Sequence, residues 1–170
     1  MALLPIRTYP DPVLSQLCQP VEAVERHLVE LAESMAETMY AAPGIGLAAP
    51  QVGELLNLVV IDTSRGEERG TPLFLFNPRI MEASGETVFE EGCLSVPDYT
   101  SDVVRSERVV VEAMDREGRP ITLEAGGLTA ICLQHELDHL VGRLFLDRIS
   151  PLRRALYRKR RLKQLKKAGE

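Results

Sequence analysis

The segment LTAICLQHELDHL, from Leu128 to Leu140, constrains the fold more than any other part of the chain. If it forms a helix, one side carries both of its histidines together with Leu128, Ile131 and Cys132. The opposite side is also apolar and consists of Ala130, Leu133, Leu137 and Leu140. A helix that is apolar on both sides has to be buried. The rest of the chain is therefore expected to pack around this helix, which Gly142 should end.

The segments around this helix predict a single α+β domain with antiparallel or mixed β-sheets. Residues 20–40 have apolar positions at helical spacing, with acidic residues on the other face. Strands are predicted at 55–62 and 72–78, and a hairpin at 107–125 around the turn REGR. Because the strands follow one another and do not alternate with helices, repeated βαβ units are not expected.

The composition agrees with one globular domain in a reducing compartment. The 170 residues are enough for a core, and 45% of them are hydrophobic while 26% are charged. No apolar run approaches membrane-spanning length, and the start, MALLPIRTYPDP, is too short and too interrupted by proline for a signal peptide. Three widely spaced cysteines do not suggest a disulfide framework. We therefore expect a cytoplasmic protein without a membrane partner.

Charge is distributed unevenly along the chain. The net charge is −5, but residues 151–170 hold nine basic residues and one acidic residue, so that this end carries +8 and residues 1–150 carry −13. We therefore divide the chain into a catalytic domain at 1–150 and a basic tail at 151–170, predicted to be helical after Pro151. Such a tail either binds a polyanion or is a solvated terminal helix. The helical spacing of Leu152, Leu156 and Leu162 would let it pack a narrow apolar stripe while its basic residues face phosphates.

Two histidines four residues apart favour a metal site on the central helix. His135 and His139 lie on the same helical face, one turn apart, so their rings can converge on one ion. Glu136 lies about 100° away around the helix, where it can handle a proton. The pattern HExxH has this meaning in zinc hydrolases, although it also arises by chance on charged helices. Burial favours the metal, because an unpaired buried polar group costs about 1–3 kcal/mol.

A third ligand is expected upstream, since catalytic metal sites usually have three protein ligands and no histidine follows His139. Cys132 precedes His139 by seven residues, a rise of about 10 Å along one helix, so it is better interpreted as pocket lining. Cys18 has no other ligand types nearby and is predicted to be a buried small hydrophobe. Cys93, in EEGCLSVP, remains as the third candidate.

The stretch PGIGLAAPQVG, at residues 43–53, predicts a close approach of backbone to a ligand. Gly44, Gly46 and Ala49 nominally fit a dinucleotide-binding fingerprint. That motif requires a preceding strand and a following helix, whereas this loop follows a helix and has Pro50 inside it. A tight turn without a ligand is the alternative.

Three motifs, GIGLAAPQ, EGCLS and QHELDH, in this order and at this spacing, resemble the signatures of the peptide deformylase family. The similarity includes NP after the second predicted strand, SGE before the cysteine motif, and the basic tail. The resemblance implies removal of the formyl group from N-terminal formyl-methionine of new polypeptides, with release of formate. It also implies one metal ion held by Cys93, His135 and His139, typically Fe²⁺, with Zn²⁺, Ni²⁺ or Co²⁺ as substitutes.

The resemblance also implies roles for the residues around the metal. Glu136 would take a proton from metal-bound water and later deliver it to the leaving amine. The Gln51 side-chain amide and the Leu94 backbone N–H would stabilise the oxyanion. Arg105 would pair with a carboxylate such as Asp138 behind the ligands.

The substrate-binding residues are implied in the same way. The Gly46 backbone would meet the substrate backbone, and the methionine side chain would occupy an apolar pocket formed by Ile45, Phe89, Leu128, Ile131 and Cys132. Plain core packing is the alternative for each pocket residue. The segment DYTSDVVR after the cysteine motif departs from the family pattern, which puts substrate preferences beyond the first residue in doubt.

Two other classes compete with the deformylase hypothesis, namely a metallopeptidase that cleaves internal bonds and a non-catalytic ribosome-associated module with a structural metal. The presence of both Glu136 and Gln51 argues against the second. The tail is expected to dock a monomeric enzyme on the ribosome. Deletion of residues 158–170 should then abolish ribosome binding and leave turnover of a free formylated tripeptide little changed.

Overall fold

Strands occupy the middle of the chain, between one N-terminal helix and two C-terminal helices. The computed structural model describes residues 3–169, so the ends of the predicted segments 1–150 and 151–170, at residues 1–2 and 170, lie outside it. Within residues 3–169 the α-helices are α1, Arg26–Ala41; α2, Gly127–Leu140; and α3, Pro151–Ala168. None of these helices combines the length and the hydropathy that a membrane crossing requires.

Two antiparallel sheets are formed by the strands of the described range. The larger sheet has the order β1-β2-β3-β6-β7, and the smaller one is the hairpin β4-β5. The strand bounds are β1, Gly46–Ala48; β2, Leu58–Ile61; β3, Leu73–Ser84; β4, Thr87–Cys93; β5, Val96–Arg105; β6, Arg108–Met114; and β7, Pro120–Gly126. The predicted α+β class is confirmed.

Helices α1 and α2 lie on opposite faces of the larger sheet. Alternating side chains of β2 separate the two layers: Leu58 and Val60 belong to the core on the α1 side, while Val59 and Ile61 belong to the core on the α2 side. Ten of the 14 residues of α2 are buried. The burial expected from its two apolar sides is therefore confirmed, and α2 forms the centre of the molecule.

The first helix is shorter than predicted. It begins at Arg26, whereas the apolar spacing places its start next to Pro20. The side-chain amide of Asn77, 56 residues away, donates to Val21 O and accepts from Val21 N, each at 2.7 Å. Because these backbone groups are already bound, they are not available to a helix, and Val21 is buried in a non-helical segment.

The hairpin β4-β5 is an addition to the strands predicted from sequence. In β4 the buried position is Glu91, while Val88 and Phe89 are exposed. This pattern is the reverse of the apolar alternation that identifies a half-buried strand. The hairpin places Cys93 at the end of β4, so the strand that the sequence pattern misses positions a candidate ligand.

The packing of α3 also differs from the prediction. The spacing of Leu152, Leu156 and Leu162 predicts an apolar stripe against the domain, but these side chains are 69%, 59% and 44% exposed. Tyr157 is the residue that α3 buries, and it packs in a small core with strand β5 and the 3-10 helix Phe145–Arg148. The leucines of α3 therefore face outward.

Candidate active site and metal centre

Strand β4 and helix α2 bring the three candidate metal ligands together. Cys93 ends β4, and His135 and His139 lie one turn apart in α2. One donor atom of each residue lies within 4.8 Å of the other two, and Cys93 Sγ is 3.5 Å from His139 Nε2. Cys132 does not belong to this group, and Cys18 is buried in the main core. The arrangement agrees with the choice among the cysteines made from the sequence.

The orientation of His135 is set by Glu91, a residue that the sequence interpretation did not include. His135 Nδ1 lies 2.8 Å from Glu91 Oε1. Burial opposes ionisation of Glu91, but hydrogen bonds from Arg105 and His135 outweigh it and hold the pKa of Glu91 below its usual value. An ionised carboxylate can only accept, so Nδ1 donates to it and Nε2 is the ring nitrogen that remains to bind a metal, with release of any proton it carries.

Arg105 links this carboxylate to a second one. Its guanidinium donates to both oxygens of Glu91, at 2.7 and 2.8 Å, and to Asp138 Oδ2 at 2.7 Å. The Arg105–Asp138 pair expected from the sequence is thus present. Arg148 donates to the other oxygen of Asp138 at 2.7 Å. The buried charges of Glu91, Arg105 and Asp138 are thus paired by directed hydrogen bonds, which is the condition for keeping charges in an interior.

The donor set fits a divalent first-row transition metal. One cysteine sulfur and two imidazoles are borderline-soft ligands that such ions accept. Burial and the neighbouring His135 lower the pKa of His139 well below its usual value, so its ring is neutral, as a ligand must be. Two buried atoms at this point, Glu136 Oε2 and His139 Nδ1, have no hydrogen-bond partner among the described residues. An ion with bound water would supply a partner for the carboxylate.

Glu136 lies between the two histidines in sequence but is not one of the clustered ligands. Burial raises the pKa of its carboxyl group from 4.5 to about 7. A group with this pKa can accept and return a proton near neutral pH, which is the property of a general acid–base catalyst.

Gln51 is buried beside the ligands and is held in one orientation. Its Oε1 accepts from Ala48 N at 2.9 Å, so its Nε2 points the other way, 3.7 Å from Cys93 Sγ and 3.1 Å from Ser95 Oγ. The side-chain amide therefore directs its N–H groups toward the three candidate metal ligands, called the metal group below. Leu94, which follows Cys93, lines the cavity beside these residues.

Gly46 explains why the glycine-rich loop needs a residue without a side chain. A Cβ at this position would lie 2.6 Å from Glu136 Oε1 and 2.9 Å from Cys132 Sγ. The close approach predicted for this loop is thus an approach to the side chains of α2 as well as to the cavity. Any larger residue would displace Glu136.

A cavity of about 640 Å³ opens beside the candidate ligands. Its wall includes every residue that the sequence assigns to substrate binding: Gly46, Ile45, Phe89, Leu128, Ile131 and Cys132. Cys93, His135 and Glu136 line it as well, so the apolar wall adjoins the metal group directly. Residues 97–100 also line the cavity, and 98–100 belong to the segment that departs from the family pattern.

Comparison with known proteins identifies the family. Residues 3–155 match the family model described as polypeptide deformylase. The chain belongs to the polypeptide deformylase family. A peptide deformylase of Syntrophobacter fumaroxidans is 50% identical over 168 residues, which cover 99% of both chains. One from Rhizobium meliloti is 48% identical over 170 residues, covering 99% of this chain and 98% of the relative.

Solved structures of deformylases share the fold. The crystal structure of a peptide deformylase from Legionella pneumophila is 44% identical, with a TM-score of 0.89, and the match covers 97% of this chain and 98% of that one. A peptide deformylase from Ehrlichia chaffeensis is 35% identical with a TM-score of 0.93, covering 99% and 100%. The family assignment and the α+β fold therefore rest on matches over nearly the whole chain.

Three residues of this deformylase site are additions to the sequence prediction. Glu91 lies two positions before Cys93 in β4, and the two-residue period of a strand would have placed both on one face. Arg148 has no local signal, because its partner Asp138 is reached only in the folded chain. Ser95, which accepts from Gln51, lies in the turn after Cys93, so the two-residue period of the strand does not extend to it.

Proposed function

We propose that this member of the deformylase family removes the formyl group from the N-terminal formyl-methionine of newly synthesised polypeptides in a metal-dependent hydrolysis that releases formate. The observation that carries the proposal is the convergence of Cys93, His135 and His139 beside Glu136, in a cavity with an apolar wall. A blocked, apolar N-terminal residue matches such a cavity better than a long internal peptide segment does.

Cys93, His135 and His139 would hold one divalent ion. We expect Fe²⁺, with Zn²⁺, Ni²⁺ or Co²⁺ as substitutes, because all of these accept sulfur and imidazole ligands. When bound, such an ion supplies the Lewis acidity that activates water and polarises the formyl carbonyl.

Glu136 would move the protons of the reaction. It accepts one from the attacking water and donates it to the amine that leaves when the formyl C–N bond breaks. Its pKa of about 7 supports both steps at neutral pH. Gln51 Nε2 and the Leu94 backbone N–H would donate to the oxyanion that forms on the formyl group.

The formylated peptide would lie along the edge of the larger sheet. β1 is one of its two edge strands, and Gly46 within β1 lines the cavity. An extended peptide can add to such an edge through backbone hydrogen bonds. The methionine side chain would then enter the apolar part of the cavity, formed by Ile45, Phe89, Leu128, Ile131 and Cys132.

Turnover of three peptides tests the proposal. We expect formate release from formyl-Met-Ala-Ser, no reaction with acetyl-Met-Ala-Ser, and no cleavage of an internally quenched peptide with a free N-terminus. Metal analysis of anaerobically purified protein should find one ion per chain. Cleavage of the quenched peptide would instead support an internal metallopeptidase, and full metal content without any turnover would support a structural metal.

We also propose that α3 docks the enzyme on the ribosome. A stripe along the outside of α3, here called the outer stripe, consists of Leu152, Leu156, Lys159, Lys163 and Lys166 at helical spacing. All five side chains are exposed. Lysines beside exposed leucines suit a surface of RNA phosphates and protein. Such docking would bring the catalytic site near emerging nascent chains.

A further inference from the structure

Helix α3 contacts the wall of the cavity with residues that are not in the outer stripe. Arg160 Nη2 donates to the backbone carbonyl of Asp98 at 2.8 Å, and the Tyr157 hydroxyl donates to the Pro97 carbonyl at 3.1 Å. Both accepting residues line the cavity. We call the segment 97–100 the rim. Helix α3 is thus hydrogen-bonded directly to the rim.

Aromatic packing strengthens this contact. The Tyr99 ring lies 4.9 Å from the Tyr157 ring, and the Arg160 guanidinium lies over both, at 5.6 and 5.4 Å from their centroids. Tyr99 also stacks with Phe145, with 6.1 Å between their ring centroids, and Phe145 in turn stacks with His135 at 6.2 Å. A continuous line of rings therefore runs from α3 through the rim to a candidate metal ligand.

The rim has a backbone conformation that needs such support. Asp98 has φ of +58°, in the left-handed region that residues with a side chain adopt at a cost in free energy. Its carbonyl is the group that Arg160 binds. A conformation of this kind persists when surrounding contacts hold it, so the bond from Arg160 stabilises the shape of the rim.

The rim forms the outer part of the cavity wall. Asp98 and Thr100 are exposed, whereas Ile131 and Cys132 of the apolar wall are buried next to the ligands. A peptide whose formyl-methionine occupies the inner cavity has to leave across the open mouth. The residues after methionine are therefore the part of the substrate that the rim reaches.

We propose that Arg160 and Tyr157 of α3 are positioning residues, which hold the rim in the shape that binds the peptide beyond its methionine. The inference rests on the proposed deformylation of N-terminal formyl-methionine. It differs from the expectation drawn from the sequence, in which deletion of residues 158–170 leaves turnover of a free formylated tripeptide little changed. In this arrangement one face of α3 serves the substrate and the outer stripe remains available to a ribosome.

Steady-state kinetics on two substrates of different length test the inference. For Arg160→Ala and for Tyr157→Phe we expect KM for formyl-Met-Ala-Ser to rise about fivefold, the change that follows from loss of one ordinary hydrogen bond. The kcat value should be unchanged, since a rise in KM at constant kcat marks the loss of substrate binding. The kcat/KM value for formyl-methionine amide, which has no residue to reach the rim, should also be unchanged.

Two further variants serve as controls. Lys163→Ala removes the same charge from the outer stripe of the same helix and should leave both substrates unaffected. Arg160→Lys keeps the charge but has no flat guanidinium to lie over two rings, so its KM should fall between that of wild type and Arg160→Ala. Tyr157→Phe keeps the buried ring, which preserves the small core and separates positioning from unfolding.

The outcomes separate this inference from the proposed function. Unchanged KM for the tripeptide in both Arg160→Ala and Tyr157→Phe overturns the role of α3. An equal fall in kcat/KM for both substrates overturns it as well. Absence of formate release by the wild-type, metal-loaded protein overturns the proposed function itself. A rise in KM that is confined to the longer substrate supports both.

Discussion

Helices α2 and α3 are both rich in ionisable side chains, but burial gives these side chains different roles. In α2 they are buried: His135 is bound by Glu91, Asp138 by two arginines, and His139 and Glu136 face the metal group. In α3, among the nine basic residues of its described range, side-chain hydrogen bonds to other groups are made by Arg154, Arg160 and Arg161. A buried charge depends on the partners that the fold places beside it, whereas an exposed charge is solvated and can bind a partner from solution. Substitutions should therefore have large, specific effects in and around α2 and small ones along the outer stripe.

The largest effect is expected at the ligand that β4 supplies to α2. Cys93→Ala should lose most of the bound metal, and its activity should fall to background, because two imidazoles alone hold a divalent ion weakly. Cys132→Ala should retain the metal and mainly raise KM, since this side chain lines the cavity. Metal content by elemental analysis, measured with turnover, checks both. Loss of metal in Cys132→Ala alone would show that the wrong cysteine has been assigned.

Glu136→Gln separates catalysis from metal binding within α2. The glutamine is nearly the same size but cannot accept a proton, so kcat should fall at least about 100-fold. Metal content should stay at the wild-type level, because Glu136 is not in the ligand group. Near-normal turnover by fully metal-loaded Glu136→Gln would remove the residue from its proposed role.

A smaller effect is expected for the residue that orients His135. Glu91→Gln keeps one oxygen for His135 but loses the charge that fixes the tautomer, and metal affinity should fall about 10- to 100-fold, as for other partners of metal ligands. Glu90→Gln is a matched control, because Glu90 is its exposed neighbour in β4. Competition with a chelator measures both affinities. Equal affinity in the two variants would mean that His135 is oriented by packing alone.

The contrast between the helices also explains how much could be predicted from the sequence. The features of α2 are local: histidine spacing and two apolar sides are both encoded within Leu128–Leu140, and its burial was predicted correctly. The interpretation of α3 used the same logic and was wrong about its packing side. The four leucines of α3 outnumber its one tyrosine, but Tyr157 is the residue that packs, against Phe145 and against Tyr99, which lies 58 residues away in the chain.

Other features depend on distant partners in the same way. The start of α1 is displaced because Asn77 binds the backbone of Val21, and no pattern within residues 20–40 contains that information. Strand β4 lacks apolar alternation because its buried residue, Glu91, is stabilised by Arg105 and His135. Sequence patterns record apolar burial well, whereas a buried charge is recognised only when its partner is known.

The smallest effect on the isolated enzyme is expected in the outer stripe. Replacing Lys159, Lys163 and Lys166 together with alanine should change the free energy of unfolding by no more than about 0.5 kcal/mol per substitution, since a single exposed surface substitution rarely does more. Kinetics on formyl-Met-Ala-Ser should be unchanged, because none of the three lysines bonds to the rim.

Ribosome binding should nevertheless be weakened in this triple variant, and its affinity should fall less steeply with salt, because fewer counterions are released from the RNA. Co-sedimentation with ribosomes at several salt concentrations measures this directly. The triple variant is a sharper test than deletion of residues 158–170, which also removes Arg160 from the rim. Equal pelleting of the wild type and the triple variant would identify α3 as a solvated helix whose contribution is made on its inner face alone.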